Sequence, residues 1–390
     1  MNVLVLHSEL GVLRGGGENF TRNLFTAFNG RGHQVTAAFV ADRRGRYPIP
    51  LPPVIEPLPI RGWWSRNLGA VWLSRIGRSI PFKSRLRTSW DRFQGAVSSR
   101  VIGWHSQRFQ RRVEEELTDR WNDFDAVYVH GDTMLASKVA RYRPTILRLP
   151  GPVSAELSPF LRKIQAVCAN GDALKRIANF LGEAAIELPV GLDGRLFKPG
   201  PNTIRSILGW SERERVVGYV GRLTQIKGVD LLAAAFLELC RTNLDARLLI
   251  IGSGEAEGSI RSILAKEIGS GIAHIERDVD HEQLPEWYRA MNLFVMPSRY
   301  ENCSNAVLEA MACGVPVLAS DIGGNSILAE QQIGWLFESN SVFSLAECLR
   351  DLLANDSGMK ARCENGRAQM EKRYTWAASA ARLESILNRI

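Results

Sequence analysis

The chain of 390 residues has no long apolar run, no paired cysteines, no fixed-period repeat and no low-complexity tract. Its longest uniformly apolar stretch, Leu231–Leu237, is seven residues, whereas a membrane-crossing helix needs about 20, so no span is expected. The start, Met1-Asn2-Val3-Leu4-Val5-Leu6-His7, lacks a basic leader and a long apolar segment, so no secretory signal is expected. Six cysteines stand at 168, 240, 303, 313, 348 and 363. None forms a CxxC pair or a metal-ligand spacing, which argues against a zinc module or a disulfide scaffold and suits reduced thiols in the cytosol. No Asp-x-Asp triplet stands at a plausible metal site, and no metal is expected.

What is present is an ordinary globular composition, 45% hydrophobic and 23% charged. Single cores stop growing at roughly 250–300 residues, so two domains are expected. The net charge of +8 is local: Arg61–Arg120 holds 13 Lys+Arg against 5 Asp+Glu. The same region, 61–121, carries six of the ten tryptophans: Trp63, Trp64, Trp72, Trp90, Trp104 and Trp121. A basic, Trp-rich stretch suits an anionic membrane or polymer. The competing reading is that the tryptophans pack in a core while the arginines face water.

The pattern along the chain alternates strand and helix. Val3–Leu6 reads as a buried strand, Gly11–Gly17 as a glycine-rich loop, and Phe20, Leu24 and Phe28 mark a helix face at spacing four. Gln34–Val40 is the next strand, and a βαβ start implies a parallel sheet covered by helices. Residues 43–60, rich in Pro and Arg, read as a loop. Strands are then expected at Asp125–His130, Thr145–Leu149, Gln165–Cys168 and Ala185–Leu188. A Pro/Gly cluster from Pro189 to Pro201 reads as a linker. A second series follows at Arg215–Val220, Arg247–Ile251, Ile272–Ile275, Leu293–Met296 and Val315–Ala319, with helices between and at Phe343–Ala354 and Trp376–Ile390.

Ligands of open α/β sheets sit beyond the carboxyl ends of strands, and four segments there carry chemistry. Gly15-Gly16-Gly17-Glu18 exceeds the glycine that a plain turn needs and suits close backbone approach to a phosphate or sugar. In Gly221-Arg222-Leu223-Thr224-Gln225-Ile226-Lys227-Gly228, two cations leave one strand end together, as a diphosphate site requires; a solvated pair is the bland alternative. Gly252-Ser253-Gly254-Glu255 is weak by itself, and Gly258 falls one residue late for a dinucleotide fingerprint. The fourth segment, Pro297 to Val317, reads strand, loop, helix, strand. It places Glu301 at the helix start and Glu309 eight residues on, two carboxylates able to accept from paired hydroxyls. His130 ends an apolar strand and precedes Gly131-Asp132. It reads either as a satisfied structural histidine or as a hydrogen-bonding group with a pKa near neutrality.

These blocks resemble the retaining GT-B glycosyltransferases of glycosyltransferase family four. Glu301 and Glu309 match the family's pair of glutamates, Ala310–Val317 its Ala-Met-Ala-x-Gly-x-Pro-Val, and Gly221–Gly228 its GRLxxxKG. The early Gly-Gly loop and the Leu-Pro at Leu284 match as well. The likeness covers most of the chain. It is very specific between 215 and 335 and weak between 43 and 120.

The resemblance implies an α/β fold of the GT-B kind, two Rossmann-like doubly wound domains facing across a cleft. The N-terminal acceptor-side domain is expected at 1–188 and the donor domain at 189–372, with 373–390 returning to the first. It implies that Arg222 and Lys227 bind the donor diphosphate. Glu309 would hold the ribose. Glu301 with the backbone N–H groups of Cys303, Ser304 and Asn305 would hold the sugar, and Gly16 and Gly17 would approach the phosphates. Gly252 and Gly254 join the donor site, Val279 lies in the loop bordering the base, and His130 falls against the donor sugar. The sequence departs from the family at Glu301-Asn302-Cys303-Ser304, where Glu-Gly-Phe-Gly is usual, and at Val190-Gly191.

The expected activity is metal-independent transfer, with retention, from a nucleotide-sugar to a glycan or lipid-linked acceptor in polysaccharide or envelope glycan synthesis. A UDP-hexose is the expected donor, UDP-glucose first. No cofactor and no nucleic-acid partner are expected. The chain is placed in the cytoplasm, with a peripheral contact to the inner face of the cell membrane through residues 61–121. The alternatives are a nucleotide-sugar epimerase or a non-catalytic nucleotide-sugar-binding protein on the same fold.

Overall fold

The computed structural model describes residues 1–12, 16–61, 106–151, 154–182, 185–242, 245–355 and 358–390. Two compact units result: Met1–Ala169 with Arg176–Leu188 and Ala380–Ile390, and Asn170–Lys175 with Pro189–Ser379.

Among the described residues, the first unit is built on seven strands: β1 Asn2–Leu6, β2 Gln34–Ala41, β3 Glu56–Arg61, β4 Ala126–His130, β5 Thr145–Arg148, β6 Ala166–Ala169 and β7 Ala185–Glu187. They run in the order β3-β2-β1-β4-β5-β6-β7, every pairing parallel. Val3, Leu4 and Val5 in β1 and Val127, Tyr128 and Val129 in β4 are fully buried. This is what a parallel sheet covered on both faces requires. The helix Gly16–Asn29 lays Phe20, Thr21, Leu24, Phe25 and Phe28 against the core.

Strand β3 corrects the reading of 43–60 as loop. Pro57 and Pro59 have no N–H to give, which suppresses a strand prediction. They stand two apart, on the same side of the strand, and among the described residues β3 is an edge strand, the position that tolerates proline. At the other end of this unit, Glu384 pairs with Arg31 and with His33 at 3.2 Å.

Among the described residues, the second unit has six strands: β8 Arg215–Val220, β9 Ala246–Ile251, β10 Ala273–Glu276, β11 Leu293–Met296, β12 Val317–Ser320 and β13 Trp335–Phe337. Their order is β10-β9-β8-β11-β12-β13, again all parallel. β13 was not expected from the sequence, because a three-residue strand carries no readable period. Between β8 and β9 the helix Val229–Leu239 buries Val229, Leu231, Leu232, Ala233, Ala235, Phe236 and Leu239. An apolar face this wide fits a helix set deep in a core rather than on a surface.

Among the described residues no helix is long and apolar enough to cross a membrane. The six cysteines are all free thiols. Of the tryptophans in the basic stretch, Trp63, Trp64, Trp72, Trp90 and Trp104 lie outside the described residues. Trp121 is buried and stacks on Tyr142 with ring centroids 4.8 Å apart, so its indole is a core group.

Candidate functional site

Strand order reverses direction next to the first strand of each unit: between β1 and β4 in the first, between β8 and β11 in the second. Loops leaving the carboxyl ends of such a strand pair diverge and open a crevice. The polar clusters of both units sit at these two places.

In the second unit, the loop after β8 is held by glycine at two close approaches. Gly221 has φ +152° and no room for a side chain beside the Tyr219 hydroxyl. That buried hydroxyl donates to the carbonyl of Arg222 at 2.9 Å. Gly228, at φ +65°, abuts Pro297: a Cβ there would stand 2.0 Å from the Pro297 carbonyl oxygen. The loops after β8 and β11 are thereby laid against each other. A salt bridge fastens them, as Arg299 gives two hydrogen bonds to the Asp230 carboxylate, at 2.8 and 2.7 Å. Its backbone N–H donates to the Ile226 carbonyl at 2.8 Å.

The consequence is a contact between two residues 74 apart in sequence: Lys227 Nζ donates to Glu301 Oε2 at 2.5 Å, both side chains largely shielded. Ser298 Oγ lies 3.4 Å from the same carboxylate oxygen. The Ser298 carbonyl in turn accepts from Ser320 Oγ at 2.6 Å, and the Ser320 carbonyl from Asn325 at 3.0 Å. Arg222 is exposed, and no described carboxylate pairs with it. The expected cations therefore differ: Lys227 is paired with Glu301, whereas Arg222 has no paired carboxylate among the described residues.

Glu309 is on the helix Asn305–Ala312 and is 8% exposed, so it is not a surface charge. The fully buried Tyr288 donates its hydroxyl to Glu309 Oε2 at 2.8 Å. Burial raises the Glu309 carboxyl above its ordinary pKa, with the Tyr288 hydrogen bond and the nearby His281 pulling the other way. Ser304 caps this helix, its hydroxyl accepting from the Val307 N–H. Its side chain is committed to the fold, and Cys303 and Asn305 flank it at the helix mouth.

Gly252 and Gly254 have a structural reason for being glycine. A Cβ on Gly252, at φ +141°, would lie 1.9 Å from the Gly221 carbonyl oxygen, and one on Gly254 2.3 Å from that of Leu223. The loops after β8 and β9 are in backbone contact there: Leu223 N–H donates to the Ser253 carbonyl and Ala256 N–H to that of Leu223, each at 2.9 Å. Their expected donor contact is thus not what fixes the residue type.

Val279 sits after β10 inside the triplet Asp278-Val279-Asp280, with Asp278 at φ +53°. Among the described residues no group of three or more His, Cys, Asp or Glu side chains could hold a metal ion.

Asn302, the departure from the family pattern, also has a structural task. Its Oδ1 accepts from the Ala173 N–H at 2.7 Å, and its Nδ2 donates to Asn170 Oδ1 at 3.2 Å. It caps the start of the helix Gly171–Leu181, where Gly171 at φ +55° lets the Asn302 carbonyl close in.

In the first unit, Gly16 and Gly17 open the helix after β1, while Gly15 lies outside the described residues. Gly16 has open space around it. Gly17 faces His130: a Cβ there would stand 2.9 Å from His130 Nε2. His130 ends β4, is stacked on His7, and touches Thr21 Oγ1 and the Tyr128 hydroxyl through Nδ1. The expectation of a pKa near neutrality is corrected here. Burial, then the nearby His7 and Arg148, hold His130 well below the ordinary histidine value, so it is uncharged at pH 7. His7, Glu18 and Thr21 were missed from the sequence. The signal available was a His closing β1 and a Glu following the glycines, but neither spacing shows that they meet.

Residues 214–355 match the model of the family described as "Glycosyl transferases group 1". A GDP-mannose-dependent monoacylated alpha-(1-6)-phosphatidylinositol monomannoside mannosyltransferase of Corynebacterium glutamicum is 31% identical over 211 residues, covering 51% of this chain and 55% of that protein. The chain thus spans about half the length of such curated relatives. Among solved structures, sucrose-phosphate synthase from Thermosynechococcus elongatus superposes with a TM-score of 0.74 at 18% identity, over 100% of this chain and 98% of that one. Anabaena HepE in complex with UDP gives 0.69 at 17% identity over 100% of both. The chain therefore has the two-sheet α/β architecture of GT-B proteins, and its stretch from 214 to 355 is similar to glycosyl transferases group 1.

Proposed function

We propose that this chain is an enzyme that transfers a hexose from a nucleotide-diphosphate sugar to a glycan or lipid-linked acceptor, with retention and without a metal ion. The observation that carries this reading is the Lys227–Glu301 pair at the β8/β11 crevice, inside the matched segment and beside the buried Glu309.

In this reading the bond from the anomeric carbon to phosphate breaks and the carbon becomes oxocarbenium-like. The departing diphosphate gains negative charge. Arg222 and the two remaining N–H donors of Lys227 stabilise it with charge-assisted hydrogen bonds. Glu301 accepts from sugar hydroxyls, and Glu309, held by Tyr288, accepts from ribose hydroxyls. The acceptor hydroxyl attacks on the face the diphosphate leaves, and its proton passes to the diphosphate. In the first unit, His130 hydrogen-bonds a substrate hydroxyl.

The donor is read as a UDP-hexose, UDP-glucose first, which the likeness to a UDP-bound structure supports. GDP-mannose is the second reading, favoured by the Corynebacterium glutamicum relative at higher identity. Calorimetry with UDP-, GDP- and ADP-sugars, followed by turnover in excess EDTA, tests both parts. Binding of UDP-glucose and activity that survives chelation are expected. Binding of GDP-mannose with no response to any UDP-sugar would overturn the donor, and loss of activity restored by Mg²⁺ or Mn²⁺ would overturn metal independence. Nucleotide release that ignores the acceptor would favour an epimerase or a binder.

The basic stretch 61–121 is proposed to touch an anionic membrane, where a lipid-linked acceptor would lie. Its composition supports this, since each basic side chain near such a surface contributes about 1 kcal/mol. The protein should co-sediment with anionic vesicles at low salt and less so as salt rises. Equal absence from anionic and neutral pellets would reject the contact.

A further inference from the structure

Two histidines stack at the carboxyl ends of neighbouring strands in the first unit. His7 follows β1, His130 ends β4, and their rings lie 4.3 Å apart at 12°. Burial lowers the pKa of both, partly offset at His7 by Glu18. Each neutral imidazole then has one N–H and one lone pair, and the neighbours decide which nitrogen has which.

The chain of neighbours begins at Glu18. Burial pushes its carboxyl up, but contacts from His7, its own backbone N–H and Arg22 outweigh this and hold it below the ordinary value. An ionised carboxylate can only accept. It lies 3.6 Å from His7 Nε2 and favours the proton on that nitrogen. His7 Nδ1 is then a lone pair, and it accepts from the Thr21 hydroxyl at 3.0 Å. With its one proton directed to His7, Thr21 Oγ1 can only accept from His130 Nδ1, 3.3 Å away. The Tyr128 hydroxyl, 3.2 Å from that same nitrogen, is a competing donor among the described residues, but it also lies against Thr21, whose second lone pair can take its proton. The proton of His130 is thereby placed on Nδ1. Its Nε2 faces Gly17, where a Cβ would stand 2.9 Å away, so only glycine leaves room beside that nitrogen.

We propose that Glu18, His7 and Thr21 form a positioning relay that holds His130 with a bare Nε2, so that His130 accepts a hydrogen bond from a substrate hydroxyl and cannot donate one to a phosphate. The relay selects for a hydroxyl at this point of the site, because an anionic oxygen, also an acceptor, would face a lone pair. The proposal rests on the reading of His130 as a substrate contact, and the two are separable by experiment.

The test is imidazole nitrogen NMR on the full chain labelled at histidine, with His130→Gln and His7→Gln spectra for assignment. At pH 7, His130 is expected with Nδ1 protonated and Nε2 bare, and His7 with the reverse. Thr21→Val should shift the His130 pattern and lower turnover about tenfold, the worth of one well-placed hydrogen bond. Thr21→Ser should restore both. A His130 protonated at Nε2 in the wild-type protein, or an unchanged His130 pattern in folded Thr21→Val, would overturn the relay. If Thr21→Val does not fold, the wild-type pattern decides alone. The expected pattern combined with a fully active His130→Gln would leave the relay standing and remove the substrate contact instead.

Discussion

Replacing Lys227 by Ala should lower turnover about 10²–10³-fold, the loss found when one preorganised donor to developing negative charge is removed. The fold holds Lys227 at the β8/β11 crevice by a direct bond to a second candidate site residue, Glu301 at 2.5 Å. Folding should change much less, since Arg299 and Asp230 still fasten the two loops. The variant also separates two roles. If Lys227 served only to balance Glu301, then Lys227→Ala combined with Glu301→Gln would be no slower than Glu301→Gln alone. If Lys227 serves a departing diphosphate, the double variant is much slower than Glu301→Gln alone. Steady-state turnover with the donor identified by calorimetry, alongside thermal melts, makes the measurement. Near-normal turnover in Lys227→Ala would remove the phosphate role.

Gly252→Ala is expected to destabilise the second unit by about 3 kcal/mol or more, from backbone strain together with overpacking. At φ +141° the backbone is in a region that side chains rarely adopt, and the new Cβ would stand 1.9 Å from the Gly221 carbonyl oxygen. Backbone cannot swing aside as a flexible side chain can, so one of the two loops must move. The loop after β8 carries Arg222 and Lys227, and turnover should fall with stability. Gly16→Ala is the control, because nothing lies within 4 Å of a Cβ there. Denaturant titration of both variants tests this, and an unchanged midpoint for Gly252→Ala would show that the loops are not locked together as the structure has them.

Much of the architecture was legible in order along the chain. Buried parallel strands are short apolar runs, and runs such as Arg215–Val220 and Leu293–Met296 announce themselves whatever surrounds them. The exceptions have local causes. Pro57 and Pro59 disguise β3, which only an edge position makes possible, and β13 is three residues long. Asn302 looked like a change in the donor loop, and the structure gives it a capping task on another segment.

The sequence by itself determined the alternation of strands and helices, the glycines where loops must bend, and the residue types at the strand ends. These are local properties: a period, a missing Cβ, a charge next to a turn. Tertiary structure alone decided which of those residues meet. Lys227 and Glu301 are brought together because β8 and β11 are neighbours although β9 and β10 intervene in sequence. His7, Thr21 and His130 meet because β1 pairs with β4. Strand order is set by the burial of whole faces summed over each unit. No window of sequence contains that sum, so the pairings, and with them the protonation pattern of the two histidines, follow only from the folded chain.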